Sequence, residues 1–508
     1  MYVKYFMFAM FPCILILART CYLIFMKSTK PKEKSCSIKT MIILGSGGHT
    51  AEMLRIVKYL NIKNYSPRVY IHAQTDKLSA EKVRDLENGN KDYKIVEIYR
   101  SREVRQSYFT SIWTTIFATL NCLPILWREN PELIVCNEKW INTSITRLEA
   151  CLDRTWEILN SGYWKDVPIE YRYCYSLCVI VKAALLELQW KVNAENYADK
   201  KKKTIVLKNI ISQIDRGILL GAPLLSMPNL LTTIATKLNN YCVEESDIIN
   251  MEDISIDHEG TNYLISNYPD RYFEQPSMQT FYNKIFMPKL PAVLTDCMNH
   301  WKALTLWKNP NYLNKIAGSR TVPIEVGSCY TEEDWTQHLV NFSEFLQKHI
   351  IATNSEVGYL AQHQLFEQIP ELKEDFEVPE YCYFSDNEEN DAESSEVDIN
   401  AWFGPANTVS PLHFDPKNNL LSQVFGYKRV ILYSPTETNN LYPYDTKLLN
   451  NTAQVDPVRP DYDKWPNFRK ASGITFYLKP GEMLYIPPKW WHHVTALTPS
   501  FSISFWWN

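Results

Sequence analysis

The sequence predicts a multidomain chain: a Rossmann-like α/β part, an α-helical middle, and a C-terminal double-stranded β-helix, the two-sheet jelly roll. Three observations carry this prediction. Residues 40–137 alternate strand-like and helix-like pieces, which suits a parallel α/β unit. From about Thr143 to Asn240 apolar residues recur at helical spacing with almost no glycine. The last hundred residues hold short, regularly spaced alternating runs, as a jelly roll requires. At 508 residues the chain is also too long for one compact core.

The first residues differ from the rest. Tyr5–Met26 is nearly all apolar and long enough to cross a bilayer, although Pro12 and Arg19 interrupt it. Lys27, Lys30, Lys32 and Lys34 follow, which by the positive-inside tendency places the rest in the cytosol. A cleaved signal peptide is the competing reading, but no small-x-small site follows the run. Residues 1–35 are therefore expected to be a membrane anchor and linker.

Within 36–142, strands are expected at Thr40–Leu44, Arg68–His72, Tyr93–Ile98 and Leu133–Cys136. Gly45-Ser46-Gly47-Gly48-His49-Thr50 lies where the first strand hands over to the helix AEMLRIVKYL. Such a turn can present helix N–H groups to an anion, or simply turn the chain. Residues 108–127 form a second apolar stretch that suits a membrane surface or a core equally. A helical domain is expected over 143–250, with Lys200–Lys203 as a solvated turn rather than a nucleic-acid patch. Over 251–508 the pattern becomes short strands, with the acidic stretch 386–398 as a loop.

Composition narrows the function classes. A net charge of −4 gives no overall basic face for nucleic acid. Twelve cysteines without a CxxC pair or zinc-like spacing read as reduced thiols in a cytosolic or nuclear setting.

The chemistry begins at Ser410-Pro411-Leu412-His413-Phe414-Asp415. Alternate strand residues point the same way, so His413 and Asp415 can face one metal. With one more imidazole they form the facial triad that leaves positions open on Fe(II) for a chelating co-substrate and O₂. Ten histidines and 57 acids in 508 residues yield about one H-x-D/E by chance, so the pair needs further support. Trp491-His492-His493-Val494 supplies it, following the strand GEMLYIPP; either histidine can be the third ligand. Lys428, on the run QVFGYKRVILYS read as one strand, is suited to the distal carboxylate of 2-oxoglutarate. Ser410, Tyr330 and Asn419 can complete that grip.

Residues 402–508 resemble the Jumonji-C arginyl hydroxylase family also described as lysine-specific demethylase eight, whose fold is of the cupin type. The matching stretches are WFGPANTVSPLHFDPKNNLLSQVFGYKRVILYSP, LYPYD, NTAQVD, LKPGEMLYIPPKWWHHV and FSISFWW. The likeness reaches back through TVPIEVGSCYTEEDW and IPELKED towards Arg147. It implies iron on His413, Asp415 and His492, and 2-oxoglutarate on Tyr330, Ser410, Asn419 and Lys428, with Trp402 lining the pocket. It further implies hydroxylation of arginine in a protein substrate, with histone demethylation and chromatin partners also claimed for the family, in nucleus or cytoplasm. Trp490, Trp491, Trp506 and Trp507, with the acidic loop, are candidates to clamp a guanidinium.

Residues 1–137 resemble the membrane-anchor subunit of the UDP-N-acetylglucosamine transferase acting on dolichol-linked GlcNAc, through LGSGGHTAEML, SREVRQSY and NPELIVCN. The resemblance ends at Asn137, so the α/β part is expected to be truncated. It implies an alternative role as a scaffold for a separate glycosyltransferase catalytic subunit, held at the endoplasmic reticulum membrane by residues 5–26.

Overall fold

The structure is a computed structural model that describes residues 37–44, 48–99, 124–161, 166–192, 200–245, 268–327, 334–352, 357–385 and 397–508. A few single or paired positions are omitted within 124–161 and at 448, and positions 114, 121 and 254 are also described. The expected anchor at 5–26, the Gly45–Gly47 turn, most of 108–127, Tyr330 and the acidic stretch 386–396 lie outside the described residues. Among those described, no helix is long and apolar enough to cross a membrane.

The chain divides into two compact units, 1–235 and 236–508. In the first, β1 (Thr40–Ile43), β2 (Arg68–Ala73), β3 (Tyr93–Ile98) and β4 (Leu133–Val135) form a sheet in the order β3-β2-β1-β4. All its pairings are parallel. The expected strands therefore form within a residue of where the apolar runs placed them. Ile42, Leu44 and Tyr70 pack against Met53, Leu54 and Val57 of the helix Gly48–Tyr59 and Val83 of the helix Lys77–Leu86. Met41, Val69, Ile71 and Val96 form an apolar cluster on the other face, as expected of a parallel sheet covered on both sides.

The expected helical array follows as Glu138–Leu159, Ile169–Val192, Lys200–Leu220 and Leu230–Glu245. Lys200–Lys203 is a correction: these lysines open the third of these helices instead of forming a turn. Apolar side chains recurring from Ile205 onward carry the helix, and lysine is itself a good helix former.

The second unit holds two sheets. Its strands are β5 (Tyr272–Glu274), β6 (Ala292–Thr295), β7 (Thr321–Val326), β8 (Thr336–Asn341), β9 (Gly358–His363) and β10 (Asp398–Gly404), then β11 (Val409–Phe414) and β12 (Asn418–Phe425). The remainder are β13 (Lys428–Tyr433), β14 (Gly473–Leu478), β15 (Met483–Ile486), β16 (Trp491–Ala496) and β17 (Ser500–Trp507). The larger sheet runs β5-β6-β15-β12-β17-β10-β9-β7-β8 and the smaller β11-β16-β13-β14.

Alternation along the strands sorts the cores. Phe501, Ile503 and Phe505 of β17 join Ala401, Phe403 and Leu420 on the outer face of the larger sheet. Trp307, Leu313, Phe342 and Phe345, from short helical segments and their ends, cover that face. These helical pieces were not anticipated in a region read as strands. Between the sheets lie Leu421, Leu484 and Ile486 from one side and Val430, Leu432, Phe476 and Val494 from the other.

QVFGYKRVILYS is not one strand. Gly426, with φ +75°, breaks it into β12 of the larger sheet and β13 of the smaller. A Cβ at Gly426 would collide with the carbonyl oxygen of Pro499, so only glycine makes this corner.

Candidate metal and co-substrate site

The smaller sheet positions three ligand-type side chains. β11 and β16 pair antiparallel with His413 opposite His492 and Ser410 opposite Val494. The register shifts between Ser410 and His413, around Pro411, which has no N–H for the ladder. Asp415 stands one residue past the end of β11, and its backbone oxygen accepts from the N–H of Lys489 (2.8 Å).

His413, Asp415 and His492 offer ligand atoms that all lie within 4.8 Å of one another, and among the described residues this is the group with metal-holding geometry. The two imidazole centroids are 4.2 Å apart, and His492 Nε2 lies 3.5 Å from Asp415 Oδ2. The hydrogen bonds fix the tautomers. His413 Nδ1 is 2.7 Å from the carbonyl oxygen of Pro411, and His492 Nδ1 is 3.0 Å from that of Trp490. A carbonyl only accepts, so each Nδ1 carries the proton and each Nε2 lone pair is free for a metal. Burial pushes the His492 pKa down to about 4, helped by the neighbouring His413 and opposed by Asp415, so the ring is neutral as a ligand must be. Asp415 Oδ2 is buried and has no hydrogen-bond partner among the described residues, which suits a metal-ligating oxygen.

His493 faces the other way. Successive strand residues alternate, so it points to the outer side of the smaller sheet, where Asp456 and Arg429 are its charged neighbours.

Beside the triad lies a buried cation. Lys428 is 1% exposed and forms no ion pair among the described residues, and burial pushes its pKa down to about 7. Its Nζ donates to the hydroxyl of Tyr359 (3.3 Å). The Ser410 and Thr408 side chains lie beside the Tyr359 hydroxyl and act on its ionisation, and the Tyr359 ring centroid is 6.1 Å from that of Trp402. Trp402 in turn donates from Nε1 to Ser504 Oγ (2.9 Å). Asn419, on β12, is 5% exposed and its Oδ1 has no hydrogen-bond partner among the described residues. A buried lysine without a counter-ion beside hydroxyls and an open amide fits a carboxylate, so these residues suit a keto-diacid next to a metal.

The structure thus brings together His413, Asp415 and His492, and links Ser410, Lys428 and Trp402 through Tyr359. Tyr359 was missed by sequence reasoning. Its signal was the strand VGYLAQH, which lacks any motif of its own and meets the site only through sheet pairing. The expected guanidinium clamp needs correction. Trp490, Trp491 and Trp507 are buried, at 7%, 1% and 2% exposed, and their Nε1 groups donate to Lys289 O, Thr438 Oγ1 and Phe384 O, so three of the four indoles are enclosed by the protein. Trp506 remains, half-buried, with its Nε1 unpartnered among the described residues.

Comparison with known proteins agrees with both halves of the chain. A cupin-like domain matches residues 278–508, and the Alg14-like oligosaccharide biosynthesis family matches 40–146, extending past Asn137 into the helix Glu138–Leu159. Jumonji C domain-containing protein 5 of Drosophila melanogaster is 39% identical over 364 residues, 71% of this chain and 86% of the relative. Lysine-specific demethylase 8 of Danio rerio is 36% identical over 422 residues, 78% of this chain and 100% of the relative. The UDP-N-acetylglucosamine transferase subunit ALG14 of Rattus norvegicus is 41% identical over 110 residues, 20% of this chain and 50% of the relative. The chain spans about half the length of that subunit.

Proposed function

This chain belongs to the Jumonji C oxygenase and demethylase family of those first two relatives, with an Alg14-like domain before it, and we propose that it hydroxylates a protein side chain, arginine. The observation that supports this most is the convergence of two Nε2 lone pairs and a carboxylate beside a buried, unpaired lysine.

In this reading His413, Asp415 and His492 hold iron on one side and leave its remaining positions open. Lys428 binds the distal carboxylate of 2-oxoglutarate, with Tyr359 and Ser410 orienting it and Asn419 and Trp402 lining the pocket; Tyr330 is a further candidate. Iron and 2-oxoglutarate, when bound, supply the oxidising power that converts a substrate C–H and O₂ to C–OH, with succinate and CO₂ as co-products. The chain's own part is to fix the C–H close to the metal and keep water out. Arginine is favoured by the half-buried Trp506, whose face can take a guanidinium, and by the acidic stretch 386–396.

The test is succinate formation from 2-oxoglutarate coupled to a 16-dalton gain on an arginine-bearing peptide, lost with His413→Ala. Loss of methyl groups from a lysine peptide without that gain would assign demethylation instead.

The Alg14-like match and its parallel sheet support a second role for the N-terminal unit. We infer a scaffold for a glycosyltransferase catalytic subunit at the cytosolic face of the endoplasmic reticulum, anchored by residues 5–26. The domains in this reading are 1–35, 36–142, 143–250 and 251–508. Membrane fractionation before and after deletion of residues 1–35 tests it: a chain that stays soluble with the segment present refutes the anchor.

A further inference from the structure

We propose that Asn451 is a positioning residue for the metal ligands, holding the backbone of Phe414 so that His413 and Asp415 keep one spacing. The inference rests on the reading of His413, Asp415 and His492 as the metal triad.

Among the described residues β11 is an edge strand, paired within its sheet only to β16. A strand edge leaves N–H and C=O groups open, and here those groups belong to the segment that carries two ligands. The cover comes from an unexpected direction. The connection 434–472 leaves β13 and returns to β14, which are neighbours at the opposite side of the sheet. Instead of turning tightly, it crosses the outer face, where Leu441, Ala453, Val455 and Phe468 pack with Leu412, Tyr433 and Trp491. It then lays residues 451–453 along the free edge of β11.

The contacts are specific. His413 and Thr452 form an antiparallel bridge. The N–H of Ala453 donates to Leu412 O (2.8 Å), and the N–H of Phe414 donates to Asn451 O (3.0 Å). The side chain of Asn451 adds what backbone pairing alone lacks: its Nδ2 donates to Phe414 O (3.0 Å). Asn451 therefore grips both polar groups of the one residue between the two ligands. Thr452, 1% exposed, sits at the centre of this seam. On the far side of Asp415, the N–H of Lys489 holds its backbone oxygen from the turn that leads into His492. The peptide His413-Phe414-Asp415 is thus tied to the insertion on one flank and to the third ligand's strand on the other.

Groups that orient metal ligands without touching the metal typically change affinity about 10–100-fold when removed. The experiment titrates the full-length chain with Mn(II) in place of iron and reads free Mn(II) by electron paramagnetic resonance. The wild type is expected to bind one ion per chain. Asn451→Ala and the near-isosteric Asn451→Leu, which fills the same space without a donor, are expected to weaken binding about 10–100-fold at an unchanged thermal midpoint. Variants that bind Mn(II) as the wild type does overturn the proposal. Loss of the fold in both variants also overturns it, because Asn451 would then serve the architecture and not the ligands. A wild type that binds no Mn(II), or whose binding survives His413→Ala, instead refutes the triad reading itself.

Discussion

In the proposed reading, the buried Lys428 makes 2-oxoglutarate binding depend on pH in a calculable way. Burial lowers its pKa from 10.5 to about 7. The charged form, which a dicarboxylate needs, is therefore about nine-tenths populated at pH 6 and about one-hundredth at pH 9. A dianion docked on the ammonium restores the pKa upwards, so binding takes up a proton across this range. While the pKa in the complex stays above 9, Kd is expected to weaken about 90-fold between pH 6 and pH 9, or about 2.7 kcal/mol. The assay is isothermal titration of the Mn(II)-loaded chain with 2-oxoglutarate at half-unit pH steps. Lys428→Arg, whose guanidinium stays protonated, should flatten the profile. A wild-type Kd that is constant from pH 6 to 9, or a Lys428→Arg profile as steep as the wild type, refutes the reasoning. The same shift has a consequence without ligand. Between pH 7 and 10.5 the unfolded chain binds more protons at this lysine than the folded one, so the contribution of Lys428 to stability rises with pH. Lys428→Met should remove that slope, seen as a thermal midpoint less dependent on pH over this window.

Three further outcomes follow from the geometry. Tyr359→Phe removes the hydroxyl that Lys428 Nζ contacts; it should weaken 2-oxoglutarate binding by about 1 kcal/mol while Mn(II) affinity stays constant. His492→Ala should abolish Mn(II) binding, whereas His493→Ala, altering a side chain on the opposite face, should retain it; parallel titrations compare them. Gly426→Ala imposes a Cβ against Pro499 O at a positive φ; it should cost about 3 kcal/mol, read as a lowered thermal transition of the C-terminal unit.

Much of this was legible in the residues because strand periodicity is local. The parallel strands of the first unit, the helices from Glu138 onward and the placement of His413, Asp415 and His492 all follow from apolar runs and an HxD pair. What escaped was information held between distant segments. The partition of QVFGYKRVILYS into two sheets depends on Pro499 crowding Gly426, which no window of sequence contains. Tyr359 reaches the site because β9 lies beside β10. Asn451 reaches the ligands because an insertion between β13 and β14 crosses a sheet face. Nothing local in the sequence tells that Trp490, Trp491 and Trp507 are buried, because the segments that enclose them are distant along the chain.

The central claim is that two imidazoles and one carboxylate share a single ion. Electron spin-echo spectroscopy of the Mn(II)-loaded chain counts coordinated imidazole nitrogens directly. The account predicts coupling to two such nitrogens in the wild type and to one after His492→Gln. Coupling to fewer than two in the wild type, or a spectrum indifferent to substitution at His413 and His492, would contradict it.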